Sequence, residues 1–145
     1  MTRIALFAAA AALACSGPVG PFPNGRLEGV VVNGSVTYWP SESASVLELE
    51  ADPADPYSVN VHFVTENGQL WVATVFGGTS TWARRVLTDG RVRVREGDSL
   101  WELRAIRVID PSELARVNAL YQRKYIFSPR LDAAESTLVF RLDPR

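Results

Sequence analysis

Apolar and polar positions alternate with a period of two along several segments of this chain, which predicts strands. Residues 27–39, "LEGVVVNGSVTYW", carry Asn33-Gly34 between β-branched runs, a hairpin signature. Residues 45–50, "SVLELE", alternate with Val46, Leu47 and Leu49 as the apolar members. "ADPADP" then ends the strand, because each proline removes a donor and restricts its predecessor. Residues 57–76, "YSVNVHFVTENGQLWVATVF", form the clearest hairpin; its Asn67-Gly68 turn predicts Val64 opposite Trp71 and Val61 opposite Thr74. A further hairpin spans "GRVRVREGDSLWELRAIRVI", where a Gly97-Asp98 turn sets Arg93 opposite Glu102. "STLVFRL" returns to strand near the C-terminus.

The period changes once, in "DPSELARVNALYQRKY". Asp110 can cap a helix there, Pro111 suits its first turn, and Glu113 completes a capping box. Leu114, Val117, Leu120 and Tyr121 make the apolar stripe, and Tyr121 and Tyr125 are expected to pack against the sheet. A short second helix is expected near Trp82. The sum is a mainly β chain with minor α: a six- to seven-stranded antiparallel split barrel with one main helix.

The N-terminus has a different character. "MTRIALFAAAAALACSG" reads as a secretion signal, with Arg3 as its basic region and Ile4 to Ala14 as an apolar stretch too short to span a bilayer. Ala12-Leu13-Ala14 offers the small-x-small approach that a leader peptidase needs. Cys15, the only cysteine, follows directly, and "ALAC" before Ser16 resembles a lipobox, although its usual leucine is displaced by one position. The domains expected are a signal peptide over 1–14, a lipidated Pro/Gly tether over 15–26 and the barrel over 27–145. The protein is then expected in the cell envelope, on the periplasmic side of a bacterial membrane and held by an acyl anchor on Cys15.

Net charge is close to zero, so overall electrostatics favour no nucleic acid. The distribution is uneven, however. From Leu27 to Ala83 there is no Lys or Arg but seven carboxylates, whereas Arg84 to Tyr125 holds ten basic and six acidic residues. A side-chain anion site must draw on the second half. Arg91, Arg93 and Arg95 share one sheet face. That face is either solvated, with cross-strand ion pairs, or a basic wall for an anionic ligand.

One stretch carries most of the candidate chemistry: "VFGGTSTWARRVL", residues 75–87. Gly77 and Gly78 permit close backbone approach at a strand end. Ser80 or Thr81 can cap the short helix, whose first N–H groups would face an anion. Arg84 and Arg85 are the first cations after the acidic segment, and helical spacing turns Arg85, four residues on, toward the side of Thr81. Trp82 could stack on a planar ring. The candidate cofactor-binding set is therefore Gly78, Ser80, Thr81, Trp82, Arg84 and Arg85. The opposing reading is a capped turn whose arginines pair with nearby carboxylates. His62, the only histidine, lies among apolar residues without partners at ligand spacing and reads as a hydrogen-bonded barrel residue. No metal site can be assembled, and no GxSxG elbow is present. Trp71 and Trp101 read as core.

The order of these segments resembles the pyridoxamine-phosphate-oxidase-like split β-barrels, a large flavin-binding superfamily, and most nearly its small bacterial members. "DPYSVNV", "RVRVREGDSLWELRAIRV" and the "ELxxxxxLYxxKY" helix carry the resemblance, which covers about Leu27 to Asp143. It implies a homodimer that binds FMN, or in some branches deazaflavin or haem, at the subunit interface. It also implies a phosphate site with Arg or Lys from early strands, where this chain has neither. Two functions stay open: a flavin-dependent oxidoreductase, or a non-catalytic envelope lipoprotein that uses the barrel to bind another ligand or a protein.

Overall fold

Two-residue turns set the registers of this fold. The computed structural model describes residues 17–32, 44–74, 80–126 and 137–145. Its strands are β1 (Val30–Val31), β2 (Leu47–Ala51), β3 (Tyr57–Val61), β4 (Phe63–Glu66), β5 (Gln69–Ala73), β6 (Arg91–Glu96), β7 (Ser99–Arg107) and β8 (Val139–Pro144); its helices are α1 (Thr81–Thr88) and α2 (Pro111–Lys124). Asn67 and Gly68 both adopt positive φ, as a tight hairpin requires, and Val64 lies opposite Trp71. The turn at Gly97 sets Arg93 opposite Glu102. Asn33-Gly34, Trp39, Gly77, Gly78, Cys15 and the signal segment lie outside the described residues.

The sheet runs β3-β2-β6-β7-β8-β5-β4, and β1 joins β7 in parallel. Strands β3 and β4 are nearly continuous in sequence, yet they occupy opposite ends of this order. The chain therefore turns a corner at His62, and that corner links the two edges of a curled, mainly antiparallel sheet. The corner also corrects one expected pair. Val61 lies opposite Leu47 on β2, not opposite Thr74. Thr74 instead joins Leu138, donating its N–H to the Leu138 carbonyl and accepting the Leu138 N–H at Oγ1, each at 2.9 Å.

Alternation sorts the side chains into two cores. The inner core gathers Leu49, Val72, Val92, Val94, Leu103 and Phe140, and α1 closes it with Ala83 and Val86. Each large apolar side chain buried this way contributes about 1.5–3 kcal/mol. The outer core sets Val64, Trp71, Ala73 and Val139 against Leu114, Val117 and Tyr121 of α2. The two-sided apolar pattern of β4 and β5 is thus satisfied within one chain.

Helix α2 begins as its sequence implies, with Asp110 accepting the Glu113 N–H at 2.9 Å and Pro111 in the first turn. The capping box is not closed by the Glu113 side chain. That carboxylate accepts from both Arg141 Nη1, at 3.0 and 3.1 Å, and Trp71 Nε1, at 3.0 Å. A charged donor at this range outbids a backbone amide.

In the arginine ladder of β6, Arg93 and Arg95 are largely buried in ion pairs, whereas Arg91 is exposed and pairs with Asp89. Arg95 grips Glu48 at 2.6 and 2.9 Å, and Arg93 grips Glu50 twice at 3.0 Å. Both carboxylates come from β2 rather than from the hairpin partner β7. These pairs also hold the segment before β1. The Leu27 N–H donates to Glu50 at 2.6 Å, Arg93 donates to the Leu27 carbonyl, and Arg95 donates to the Glu28 carbonyl at 3.0 Å. Asn24 exchanges two backbone hydrogen bonds with Ser58, at 2.9 and 2.8 Å. Residues 17–26, expected as a tether, therefore run along β3 as a strap.

Candidate functional site

Helix α1 separates two clefts. The first, of 420 Å³, is lined by Gly20, Pro21, Val46, Asn60, Val61, His62, Ala73, Ser80 and Trp82. This lies within the range of about 300–1,000 Å³ common for small-molecule sites. Its walls come from the strap, the β3–β4 corner and the start of α1. Trp82 is held edge-on against Phe140, at 5.9 Å between ring centroids. His62 stacks on Tyr125 at 4.6 Å with 25° between the planes. Two fixed aromatic rings thus border one apolar cleft, and Ser80 and Asn60 supply polar groups.

The corner holds His62 in place from behind. The Tyr121 hydroxyl donates to the His62 carbonyl at 3.0 Å, and Lys124 Nζ donates to the Phe63 carbonyl at 3.0 Å. Burial first, and then the Lys124 charge, lower the His62 pKa below its ordinary 6.5. A neutral imidazole that can donate or accept is the form favoured there. Burial also pushes the Tyr121 hydroxyl well above its usual range, with Tyr125 adding to the shift. Tyr121 is therefore a fixed donor and not an acid at ordinary pH.

The second cleft, of 380 Å³, is lined by Asp52, Thr81, Arg84, Arg85, Thr88 and Asp89. Positions 81, 84, 85 and 88 form one helix face, so both arginines stand on the side of Thr81 rather than Arg85 alone. Their surroundings differ. Arg85 reaches Asp52 Oδ2 at 3.1 Å, the Asp55 carbonyl at 2.7 Å and Asp55 Oδ2 at 3.4 Å, with its guanidinium 4.6 Å from the Tyr57 ring centroid. Arg84 is exposed at the rim. Asp89 is held at about pKa 2, chiefly by hydrogen bonds from Arg91. The acidic first half of the chain meets the basic second half here as it does on β2 and β6.

The candidate residues thus divide. Ser80 and Trp82 face the apolar cleft, whereas Thr81, Arg84 and Arg85 face the charged one, and Gly78 lies outside the described residues. Ser80 occupies the N-cap position with extended backbone, but its side chain makes no capping hydrogen bond. The helix start is instead shaped by Ala83 and Val86 docking into the core. Sequence reasoning missed Asn60, Val46 and the strap residues Gly20 and Pro21 as cleft walls. It had His62 as a barrel residue only. The signal for His62 was weak, because nothing in an alternating run marks where a strand turns. Among the described residues, no group of three or more His, Cys, Asp or Glu gathers as a metal site would require.

This geometry is a split barrel, a fold that solved structures of low sequence identity share. A candidate pyridoxamine 5'-phosphate oxidase of Listeria innocua superposes with a TM-score of 0.56 at 19% identity, over 72% of this chain and 86% of that one. A conserved hypothetical protein of Mycobacterium tuberculosis gives 0.56 at 19% identity, over 72% and 75%. A FAD-binding protein of Mesorhizobium loti gives 0.51 at 13% identity, over 72% and 82%. No protein-family model and no curated protein matches the chain.

Proposed function

We propose that this is an envelope split-barrel protein whose apolar cleft binds the planar ring of a flavin-class ligand, FMN or a related flavin or deazaflavin. The observation that carries the reading is the pair of fixed rings, Trp82 and His62, bordering a 420 Å³ apolar cleft. Aromatic walls offer stacking to a heterocycle, while Ser80 and Asn60 offer polar contacts to its rim. The described residues fit the ring end of such a ligand. Toward a phosphate they offer the first amides of α1, while Arg84 faces the charged cleft on the other side of that helix. A bound flavin would supply electron-transfer chemistry; the residues of this chain bind and orient it. The fold shared with a FAD-binding protein supports the reading. A homodimer and a lipid anchor on Cys15 belong to the same proposal, the first on the family likeness and the second on the lipobox-like sequence.

One observation favours the non-catalytic alternative. Arg85 is bound by Asp52 and Asp55, which removes a cation from any phosphate. Purified protein that shows the visible absorbance of bound flavin, and binds FMN more tightly than riboflavin, supports the flavoprotein. A colourless protein with equal affinity for both is a ring-binding module without a phosphate clamp. If neither flavin binds at about 100 μM, the proposal fails.

A further inference from the structure

The strap carries a feature that neither barrel nor cleft explains. Val19 and Phe22 are 67% and 70% exposed. They belong to a closed turn, because Val19 and Phe22 exchange backbone hydrogen bonds at 3.1 and 3.0 Å. The turn is fixed to the barrel, not loose. Asn60 Nδ2 donates to the Gly20 carbonyl at 3.1 Å, and Asn24 Nδ2 donates to the Gly17 carbonyl at 2.7 Å. Gly17 is buried against the Glu48–Arg95 pair with φ of +135°, where a Cβ would collide with both side chains. Across residues 17–25 there is no charged side chain. Two large apolar groups are thus presented to solvent on a rigid, uncharged turn.

The position of this turn identifies its occupant. Gly17 is two residues after Cys15, a reach of about 7 Å at most. An acyl chain on Cys15 would therefore leave almost no slack between bilayer and barrel. The acidic Asp52–Asp55 turn sits at the other end of β3 from Asn60, away from this point.

We propose that the Val19–Phe22 turn is a membrane-contact tip that inserts its two apolar side chains at the lipid headgroup level and holds the barrel in one orientation beside its anchor. This rests on the reading of Cys15 as acylated. Because Gly20 and Pro21 of the same turn line the apolar cleft, the docked protein carries that cleft at the membrane interface, where a lipid-soluble ligand reaches it directly. Apolar side chains of this kind enter about 5–10 Å into the headgroup and acyl boundary.

The test uses the lipidated protein in phosphatidylcholine–phosphatidylglycerol vesicles. Val19→Cys supplies a thiol for a nitroxide label, and Ala54→Cys, at the exposed turn between β2 and β3, supplies the reference. Power saturation with oxygen and with a nickel chelate reads depth. The expected result is an oxygen-rich, nickel-poor label at position 19 and the reverse at position 54, with Phe22→Ser returning the label at 19 toward water. A water-exposed label at 19, on protein whose Cys15 lipid is confirmed by mass, overturns the tip and leaves the anchor standing. Dipolar broadening between labels at 19 without oxygen-rich contact identifies a second copy as the occupant and also overturns it. No lipid mass on Cys15 overturns the anchor and the tip with it.

Discussion

Replacing Glu50 with Ala removes the centre of the strap's attachment. The Glu50 side chain is 4% exposed and that of Arg93 14%, so the pair is desolvated. Alanine removes two hydrogen bonds from Arg93 and the acceptor of the Leu27 N–H. The guanidinium keeps the Leu27 carbonyl but loses its counter-charge. Breaking one side of a buried ion pair costs about 3–5 kcal/mol, a large share of the roughly 5–15 kcal/mol that holds a domain together. Glu50→Gln keeps one acceptor oxygen but loses the charge and turns an NH2 toward a donor, so it should cost about 1.5–3 kcal/mol. Replacing both partners by leucine should cost less than Glu50→Ala alone, because no buried charge is stranded. Urea unfolding followed by tryptophan fluorescence reads these differences. Trypsin supplies a local readout: exposed Arg26 adjoins Leu27, and cleavage after it should accelerate when the strap lifts. If Glu50→Ala unfolds within about 0.5 kcal/mol of wild type and Arg26 is cut no faster, the clamp is not what holds this segment.

Other consequences are local. Tyr121→Phe takes the donor from the His62 carbonyl at the barrel corner and should cost about 1–3 kcal/mol in urea unfolding; a loss below about 0.5 kcal/mol would mean that the corner does not depend on it. Ser58 Oγ is buried with no hydrogen-bond partner among the described residues, so Ser58→Ala should be neutral or stabilising by up to about 1 kcal/mol, and clear destabilisation would contradict that environment. The lowered His62 pKa means that the unfolded chain takes a proton more readily than the folded one. Its contribution to stability is therefore full above pH 6.5 and declines as pH falls through the depressed folded value. His62→Gln should flatten that acid limb in urea titrations from about pH 8 to about pH 5, and an unchanged limb would assign it to other groups.

What was legible in the sequence follows from distance along the chain. Val64 opposite Trp71 and Arg93 opposite Glu102 could be read because a two-residue turn fixes both pairings locally. The partners of Arg93 and Arg95 could not. They lie more than forty positions away on β2, and only the β2–β6 pairing brings Glu50 and Glu48 to them. Glu113 had the right spacing for a capping box, but Arg141 and Trp71 arrive from strands that the local pattern does not reveal. The same limit applies to the site. Trp82 and Ser80 could be singled out beside the glycine pair, whereas His62 joined them only once the β3–β4 corner was in view. The charge asymmetry between the two halves was visible at once, but its resolution into internal pairs, Arg85 with Asp52 and Asp55 among them, required the fold.

The most direct test of the central claim is a titration of the purified protein with FMN, followed by quenching of the flavin fluorescence, in wild type and Trp82→Ala. Stacking in the apolar cleft predicts saturable quenching in the wild type. It also predicts a loss of about 0.5–1.5 kcal/mol in Trp82→Ala, roughly two- to tenfold in affinity, beyond any change in stability. Equal affinity in the two proteins, or no saturable quenching in the wild type, would contradict the assignment of this cleft to a flavin-class ring.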